Sequence, residues 1–93
     1  MPSARRVRLE ITGIVQGVFF RESARREATR LDLTGWIRNE PDGSVTAEAE
    51  GDSTHLDGFV EWCRRGPQFA EVERIRIVEL RPAGRSTGFT ITR

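Results

Sequence analysis

One stretch of the sequence, residues 13–21, most constrains how this chain can fold. It reads Gly-Ile-Val-Gln-Gly-Val-Phe-Phe-Arg and lies between an alternating apolar pattern and a helical one. Its two glycines allow a tight turn and a close approach of the backbone to a ligand. We therefore predict a strand-to-helix loop whose N–H groups, with those of the following helix N-terminus, form a concave site for an anion.

Arg21 is the residue that makes this segment unusual. It falls in the first turn of the predicted helix, where a cation opposes the helix macrodipole at a cost of roughly 0.3–1 kcal/mol. An anion held between the N–H groups and the guanidinium would reverse that penalty, so the 13–21 segment predicts a phosphate site gripped by Arg21. The alternative interpretation is a surface arginine whose aliphatic stem lies along the helix.

Length and composition narrow the class of protein. The chain has 93 residues, so we expect a single domain over residues 1–93. Its single cysteine permits no intrachain disulfide, and no apolar run approaches the roughly 20 residues of a membrane span. No apolar signal-peptide segment follows the basic N-terminus, so we expect a cytoplasmic protein. The net charge of +1 is unlike that of a dedicated nucleic-acid-binding protein.

Apolar periodicity and turn signals predict five strands and two helices in the order β-α-β-β-α-β-β. The expected strands lie at about 6–13, 35–40, 44–50, 71–80 and 89–91. The first helix is expected at about 22–33, and the second begins at one of the cap candidates in 52–54 and stops at 66. Residues 1–5 and 81–87 lie outside these elements. A change of parity in the fourth strand also predicts a bulge or twist near Ile77. This order is that of the α+β, ferredoxin-like fold: an antiparallel sheet with two helices on one face, here with a short C-terminal strand added.

The apolar periods also predict the core. The inward residues of the first strand are Val7, Leu9 and Ile11, and those of the third are Val45, Ala47 and Ala49. The apolar stripe of the first helix is Ala24, Ala28 and Leu31, and that of the second is Leu56, Phe59, Val60 and Cys63.

Asn39 is the second residue that we expect in a functional site. In the ferredoxin-like fold the first two strands run parallel with the third between them, so the 13–21 segment and the end of the second strand lie at one edge of the sheet. Asn39 shares the parity of Ile37, which we expect to face the helices. It should therefore point toward Arg21, although an asparagine that merely flanks the hairpin turn is the alternative.

Other reactive residue types form no recognisable constellation. A zinc site needs about four ligands, whereas the chain has one histidine and one cysteine. We expect His55 at the surface or cap of the second helix and Cys63 in the core. No nucleophilic triad is readable around His55. Trp36 and Trp62 are expected to be packing residues rather than ligand-binding aromatics.

Two long motifs resemble the signatures of the acylphosphatase family. Residues 11–21 resemble the first signature, and residues 35–45, closing at Gly51, resemble the second. Weaker matches to the family are Gly66, Pro67, Ala70, Val72 and residues 89–91, so the resemblance covers essentially the whole chain. The family often has glycine where Asp32 stands; a left-handed aspartate there costs roughly 1 kcal/mol.

The resemblance implies a small, free-standing enzyme that hydrolyses the carboxyl–phosphate anhydride of acylphosphates with no metal and no other cofactor. Arg21 would bind the phosphoryl group and Asn39 would orient the attacking water. The remaining phosphate ligands would be backbone N–H groups, those of Gln16, Gly17, Val18, Phe19 and Phe20. The leaving group is a carboxylate whose conjugate acid has a pKa near ~4, so it departs without a general acid. We expect a monomer that acts on a small-molecule acylphosphate, with no nucleic-acid or membrane partner.

Two further readings use the same fold. One is a binding module that holds an acyl or carbamoyl phosphate with little turnover. The other is an RNA-binding domain, which would need aromatic side chains on its central strands. The open faces of the first and third strands instead carry Arg8, Glu10, Thr12, Thr46, Glu48 and Glu50. The sequence therefore favours the enzyme over the RNA-binding domain.

Overall fold

The computed structural model describes residues 4–84 and 87–93. Its elements are β1 (Ala4–Ile14), α1 (Phe20–Arg30), β2 (Thr34–Asn39), β3 (Val45–Asp52), α2 (Ser53–Arg65), β4 (Glu71–Leu80) and β5 (Phe89–Ile91). The sheet order is β4-β1-β3-β2-β5, and every neighbouring pair is antiparallel except β2 and β5. The predicted ferredoxin-like fold with its short C-terminal strand is confirmed.

The core lies between one face of the sheet and the two helices. β1 and β3 contribute three cross-strand pairs of fully buried residues, Val7–Ala49, Leu9–Ala47 and Ile11–Val45. The helices contribute the buried residues Ala24 and Ala28 of α1 and Leu56, Phe59, Val60 and Cys63 of α2. All of these were predicted from the apolar periods, and burial raises the pKa of the Cys63 thiol.

Helix α1 begins and ends earlier than the predicted range of 22–33. It begins at Phe20 because Phe19, with φ 62°, is left-handed and forms the N-cap. It ends before Asp32, whose φ of 57° is also left-handed, as expected for a position where the resembling family often has glycine. Leu31 is the C-cap and still packs against the core.

The predicted start of β1 needs correction. Ala4 and Arg5 were expected outside the regular elements, but they extend β1 because they pair with Asp52 and Gly51 of β3. The rest of the 1–5 prediction, residues 1–3, lies outside the described residues. Residues 85–86 of the predicted 81–87 loop also lie outside them.

The bulge predicted near Ile77 is wrong. Ile77 pairs regularly with Leu9, and the register between β1 and β4 shifts instead between Thr12 and Gly13. A Cβ on Gly13 would lie 2.1 Å from the carbonyl oxygen of Glu71, so only glycine lets the two strands approach there. The apolar residues of β4 change parity without a bulge because Ile75 and Ile77 lie on one face of the sheet and Val78 and Leu80 on the other.

The hairpin turn and the cap of α2 are as predicted. Gly43 donates its N–H to the carbonyl oxygen of Glu40 at 3.1 Å, which closes the turn between β2 and β3. The Asp52 carboxylate accepts hydrogen bonds from the backbone N–H groups of Thr54 at 3.1 Å and His55 at 3.3 Å. Asp52 is therefore the N-cap of α2.

The sheet face away from the helices is covered by paired charges. Glu48 is only 8% exposed although it faces outward, because Arg6 and Arg8 both contact its carboxylate. The guanidinium of Arg38 lies 4.9 Å from the ring centroid of Trp36 and covers one face of that ring. In the part of the chain that the structure describes, no helix is long and apolar enough to cross a membrane.

Candidate active site

A cavity of about 360 Å³ opens at the edge of the sheet where the sequence places the site. Its walls come from the 13–21 segment, the first turn of α1, and the strands β2 and β5. The lining residues are Val15, Gly17, Phe19, Phe20, Arg21, Glu22, Asn39 and Ile91. The structure thus brings Arg21 and Asn39 to one cavity, as the strand order predicts.

The backbone between β1 and α1 has several N–H groups without a backbone acceptor among the described residues. Gly17 has a φ of 74°, which favours glycine, and open space surrounds the position of its absent Cβ. Across the described residues, no backbone hydrogen bond has an N–H group of residues 16–20 as its donor. The first N–H of α1 with a backbone acceptor is that of Ser23, which bonds the carbonyl oxygen of Phe19 at 3.0 Å. Such a run of N–H groups is a chemically competent anion site.

Phe19 holds the least favourable backbone conformation in the segment. A left-handed residue that carries a Cβ costs roughly 1–2 kcal/mol. The Phe19 side chain is 80% exposed and does not cap the helix, so neither packing nor a hydrogen bond of its side chain offsets that cost. Backbone strain of this kind is concentrated at functional sites.

Phe20 anchors the start of α1 beneath the cavity. Its side chain is 1% exposed, and its ring meets the ring of Trp62 edge to face at a centroid distance of 5.6 Å. A Cβ on Gly66 would lie 2.7 Å from Cε2 of Phe20, so the end of α2 packs closely against this ring. Trp62 is therefore a packing residue, as predicted, and it fixes the helix turn that carries Arg21.

Gln16 joins the loop to the hairpin through its side chain. Its Nε2 donates to the carbonyl oxygen of Glu40 at 2.8 Å and to that of Ser44 at 2.9 Å. Glu40 directly follows Asn39, so this amide fixes the 13–21 segment relative to Asn39. The family resemblance implies a role only for the N–H of Gln16. The carbonyl partners of its side chain become apparent only when the loop and the hairpin turn lie side by side in the fold.

Two of the predicted phosphate ligands lie outside the cavity lining. Gln16 turns its side chain to the hairpin, and Val18 packs its side chain against the core. Only their backbone N–H groups are candidates for a ligand. Conversely, Glu22 and Ile91 line the cavity without having been predicted, whereas Val15 belongs to the predicted 13–21 segment. Ile91 was detectable because it shares the parity of the buried Phe89.

Asn39 presents a polar atom without a protein partner. It is the last residue of β2 and pairs with Val45 of β3 in the sheet. Its Oδ1 atom is buried and accepts no hydrogen bond from the described residues. A buried acceptor without a partner costs about 1–3 kcal/mol, so this oxygen is suited to accept a hydrogen bond from a bound molecule.

Two charged residues, Arg21 and Glu22, line the cavity. Glu22 lines the cavity, but its carboxylate pairs with Arg25 and lies 3.5 Å from Nε of Arg26. The hydrogen bond from Arg25 is the main cause that lowers the pKa of Glu22, so this carboxylate stays ionised. Among the ion pairs of the described residues none involves Arg21, so no carboxylate neutralises its guanidinium. No group of three or more potential metal ligands is present in residues 4–84 and 87–93.

Comparison with known proteins identifies a family model, curated relatives and solved structures of acylphosphatases. The family model for acylphosphatase matches residues 7–91. An acylphosphatase from Methylococcus capsulatus is 46% identical over 96% of this chain and 97% of its own length. One from Aeropyrum pernix is 50% identical over 98% of this chain and 95% of its own. The crystal structure of acylphosphatase from Bacillus subtilis superposes with a TM-score of 0.92 at 36% identity, covering 96% of this chain and 99% of that one.

Proposed function

The chain belongs to the acylphosphatase family and hydrolyses acylphosphates to a carboxylate and inorganic phosphate, and we propose that Arg21 and Asn39 perform this reaction in the cavity beside α1. One observation carries the proposal. Arg21 and Asn39 line the same cavity at a helix N-terminus, and the buried Oδ1 of Asn39 has no partner among the described residues.

Binding of the phosphoryl group is the first step. The N–H groups of residues 16–20 and the positive end of α1 attract its anionic oxygens. The planar guanidinium of Arg21 pairs with two of these oxygens. Because no carboxylate of the described residues forms an ion pair with Arg21, its positive charge is available to the substrate.

Hydrolysis then needs little more than a positioned water. Oδ1 of Asn39 accepts a hydrogen bond from the water, which places the water oxygen against phosphorus opposite the acyl group. A bond forms between the water oxygen and phosphorus, and the bond between phosphorus and the acyl oxygen breaks. The carboxylate leaves with the electron pair, and one proton of the water passes to the solvent, so the products are the carboxylate and hydrogen phosphate. Phosphoryl transfer of this loose kind depends mainly on positioning and charge stabilisation, and a neutral amide does not repel the anionic substrate.

We further propose that residues 1–93 act as a single-domain monomer in the cytoplasm. The apolar residues of both helices and the sheet form one core cluster within one chain. Cys63 is a free, buried thiol, which suits a reducing compartment.

The test is a split between turnover and binding in Asn39→Ala. With benzoyl phosphate as substrate and a chelator present, we expect wild-type hydrolysis to persist and Asn39→Ala to lose turnover by about 10²-fold or more. Inhibition by inorganic phosphate should change by much less, because the N–H groups and Arg21 remain. Wild-type turnover in Asn39→Ala would contradict the role of Asn39. Phosphate binding without turnover by folded wild-type protein would indicate a binding module instead.

A further inference from the structure

We propose that the cavity contains an apolar subsite for the acyl group, formed by Phe19 and Ile91, and that the protein therefore prefers acylphosphates with an apolar chain or ring over acetyl phosphate. The inference rests on the proposed phosphate site at Arg21. It concerns the other end of the substrate, for which the 13–21 motif carries no chemistry of its own.

Phe19 is a large apolar residue that is exposed rather than packed in the core. Phe19 lines the cavity and is 80% exposed, while its backbone holds the left-handed conformation. A smaller residue such as glycine would adopt that conformation without strain. A large aromatic surface held at a cavity wall is instead suited to contact an apolar ligand.

Ile91 supplies a second apolar surface from a different element. β5 runs parallel to β2, with Ile91 paired to Ile37. Ile91 therefore shares the sheet face of Ile37 and Asn39, which is the face of the helices. It remains 37% exposed because it lines the cavity.

The polar side chains of the cavity are already engaged. Arg21 and Asn39 serve the phosphoryl group and the water, and the Glu22 carboxylate is paired with Arg25. The lining that remains for an acyl group is therefore apolar. The cavity volume of about 360 Å³ equals roughly twelve water volumes, which is more than a phosphoryl group with a two-carbon acyl group requires.

The substrate test is a straight-chain series from acetyl to pentanoyl phosphate. The leaving groups in this series are almost equally basic, so kcat/KM reports contact with the chain. A fully buried methylene is worth about fourfold, and in an open cavity we expect about twofold per methylene, or about eightfold over the series. A flat series with normal hydrolysis would overturn the apolar subsite and leave the phosphate site intact. A failure to hydrolyse any member would contradict the proposed function itself.

Variants of Phe19 and Ile91 test whether these two residues cause the preference for longer acyl chains. Phe19→Ala and Ile91→Ala should each lower the ratio of kcat/KM for pentanoyl phosphate to that for acetyl phosphate toward one. The ratio is the readout because both substrates share the phosphate site, so damage there cancels. Phe19→Asn, which tolerates the left-handed backbone, should lower the ratio equally and covers the case in which the alanine variant misfolds.

Phe69→Ala is the matched control. Phe69 is 71% exposed, comparable to Phe19, but does not line the cavity. The ratio should stay near its wild-type value in this variant. An unchanged ratio in both Phe19→Ala and Ile91→Ala, or a ratio lowered as far in Phe69→Ala, would overturn the subsite.

Discussion

The N-termini of the two helices face the same physical problem and solve it differently. Every α-helix begins with N–H groups that lack intrahelical acceptors. In α2 the carboxylate of Asp52 accepts from two of them. In α1 the N-cap is Phe19, which has no side-chain hydrogen bond, and a cation, Arg21, follows in the first turn. One helix start is satisfied by the protein, and the other is suited to an external anion.

The difference separates stability from function within one small fold. The cap of α2 contributes about 1 kcal/mol to folding. The start of α1 carries a strained residue and an unfavourably placed charge, and it is held by burial of Phe20 against Trp62. Bound phosphate would supply the acceptor that α1 lacks. The following changes test this comparison, from the largest expected effect to the smallest.

Arg21→Ala should have the largest effect, because it removes the cation that faces the phosphoryl group. We expect turnover of benzoyl phosphate to fall by about 10³-fold or more and phosphate affinity by at least about tenfold. Steady-state kinetics and inhibition by inorganic phosphate measure the two. Arg30→Ala, on the same helix and paired with Glu27, is the control and should behave as wild type. Equal losses in both variants would argue against a specific role for Arg21.

Phe19→Asp should make α1 resemble α2 by placing a carboxylate at its N-cap. The new charge would compete with phosphate, so we expect phosphate affinity to fall by at least about tenfold, by like-charge repulsion in a partly enclosed site. Thermal stability should hold or rise, since the interaction of an anion with the positive end of the helix dipole stabilises the fold by roughly 0.3–1 kcal/mol. Phe19→Asn is the neutral comparison, and a loss of phosphate affinity as large as that of the aspartate would show that charge is not the cause.

Gln16→Met should have an intermediate effect. Methionine keeps the shape of the side chain but removes both donors to the hairpin carbonyls of Glu40 and Ser44. The loop would lose its tie to Asn39, so we expect kcat to fall by about tenfold through misplacement of the water, with phosphate binding less affected. Circular dichroism should show the fold retained, because Glu40 and Ser44 keep their other hairpin hydrogen bonds. A wild-type kcat would exclude this positioning role.

Asp52→Ala should have the smallest effect on activity and a clear effect on stability. Loss of the cap should lower the free energy of unfolding by about 1 kcal/mol and the melting temperature by about 4–8 °C. Below that temperature kcat and KM should match wild type, because no residue at the N-terminus of α2 lines the cavity. Asp52→Asn keeps a capping oxygen and should recover most of the stability. Loss of turnover in folded Asp52→Ala would break the distinction between the two helices.

The elements with strong local signals could be predicted from the sequence. The alternating apolar residues of β1 and β3 and the capped, amphipathic α2 each follow from side-chain period and turn chemistry. The proximity of Arg21 and Asn39 follows from strand order alone, since parallel strands end at one edge. The left-handed Asp32 could be expected from the family resemblance, because the family often has glycine at this position.

What could not be predicted depends on contacts between distant segments. The start of α1 depends on Phe20 finding a place against Trp62 and Gly66, which no local pattern reveals. The bulge was misplaced because β4 is an edge strand with apolar residues on both faces, whereas the actual shift follows from the glycine opposite it. The side-chain role of Gln16 needs two carbonyl groups from the β2–β3 turn.

The most direct test of the central claim is an NMR titration of the wild-type protein with inorganic phosphate, followed through its backbone amide resonances. We predict the largest shift changes at residues 16–21, with a change at the Asn39 side-chain amide, and none at Thr54 and His55, whose N–H groups are already bonded to Asp52. Equal shifts at both helix N-termini, or no shift at residues 16–21 at saturating phosphate, would contradict the account.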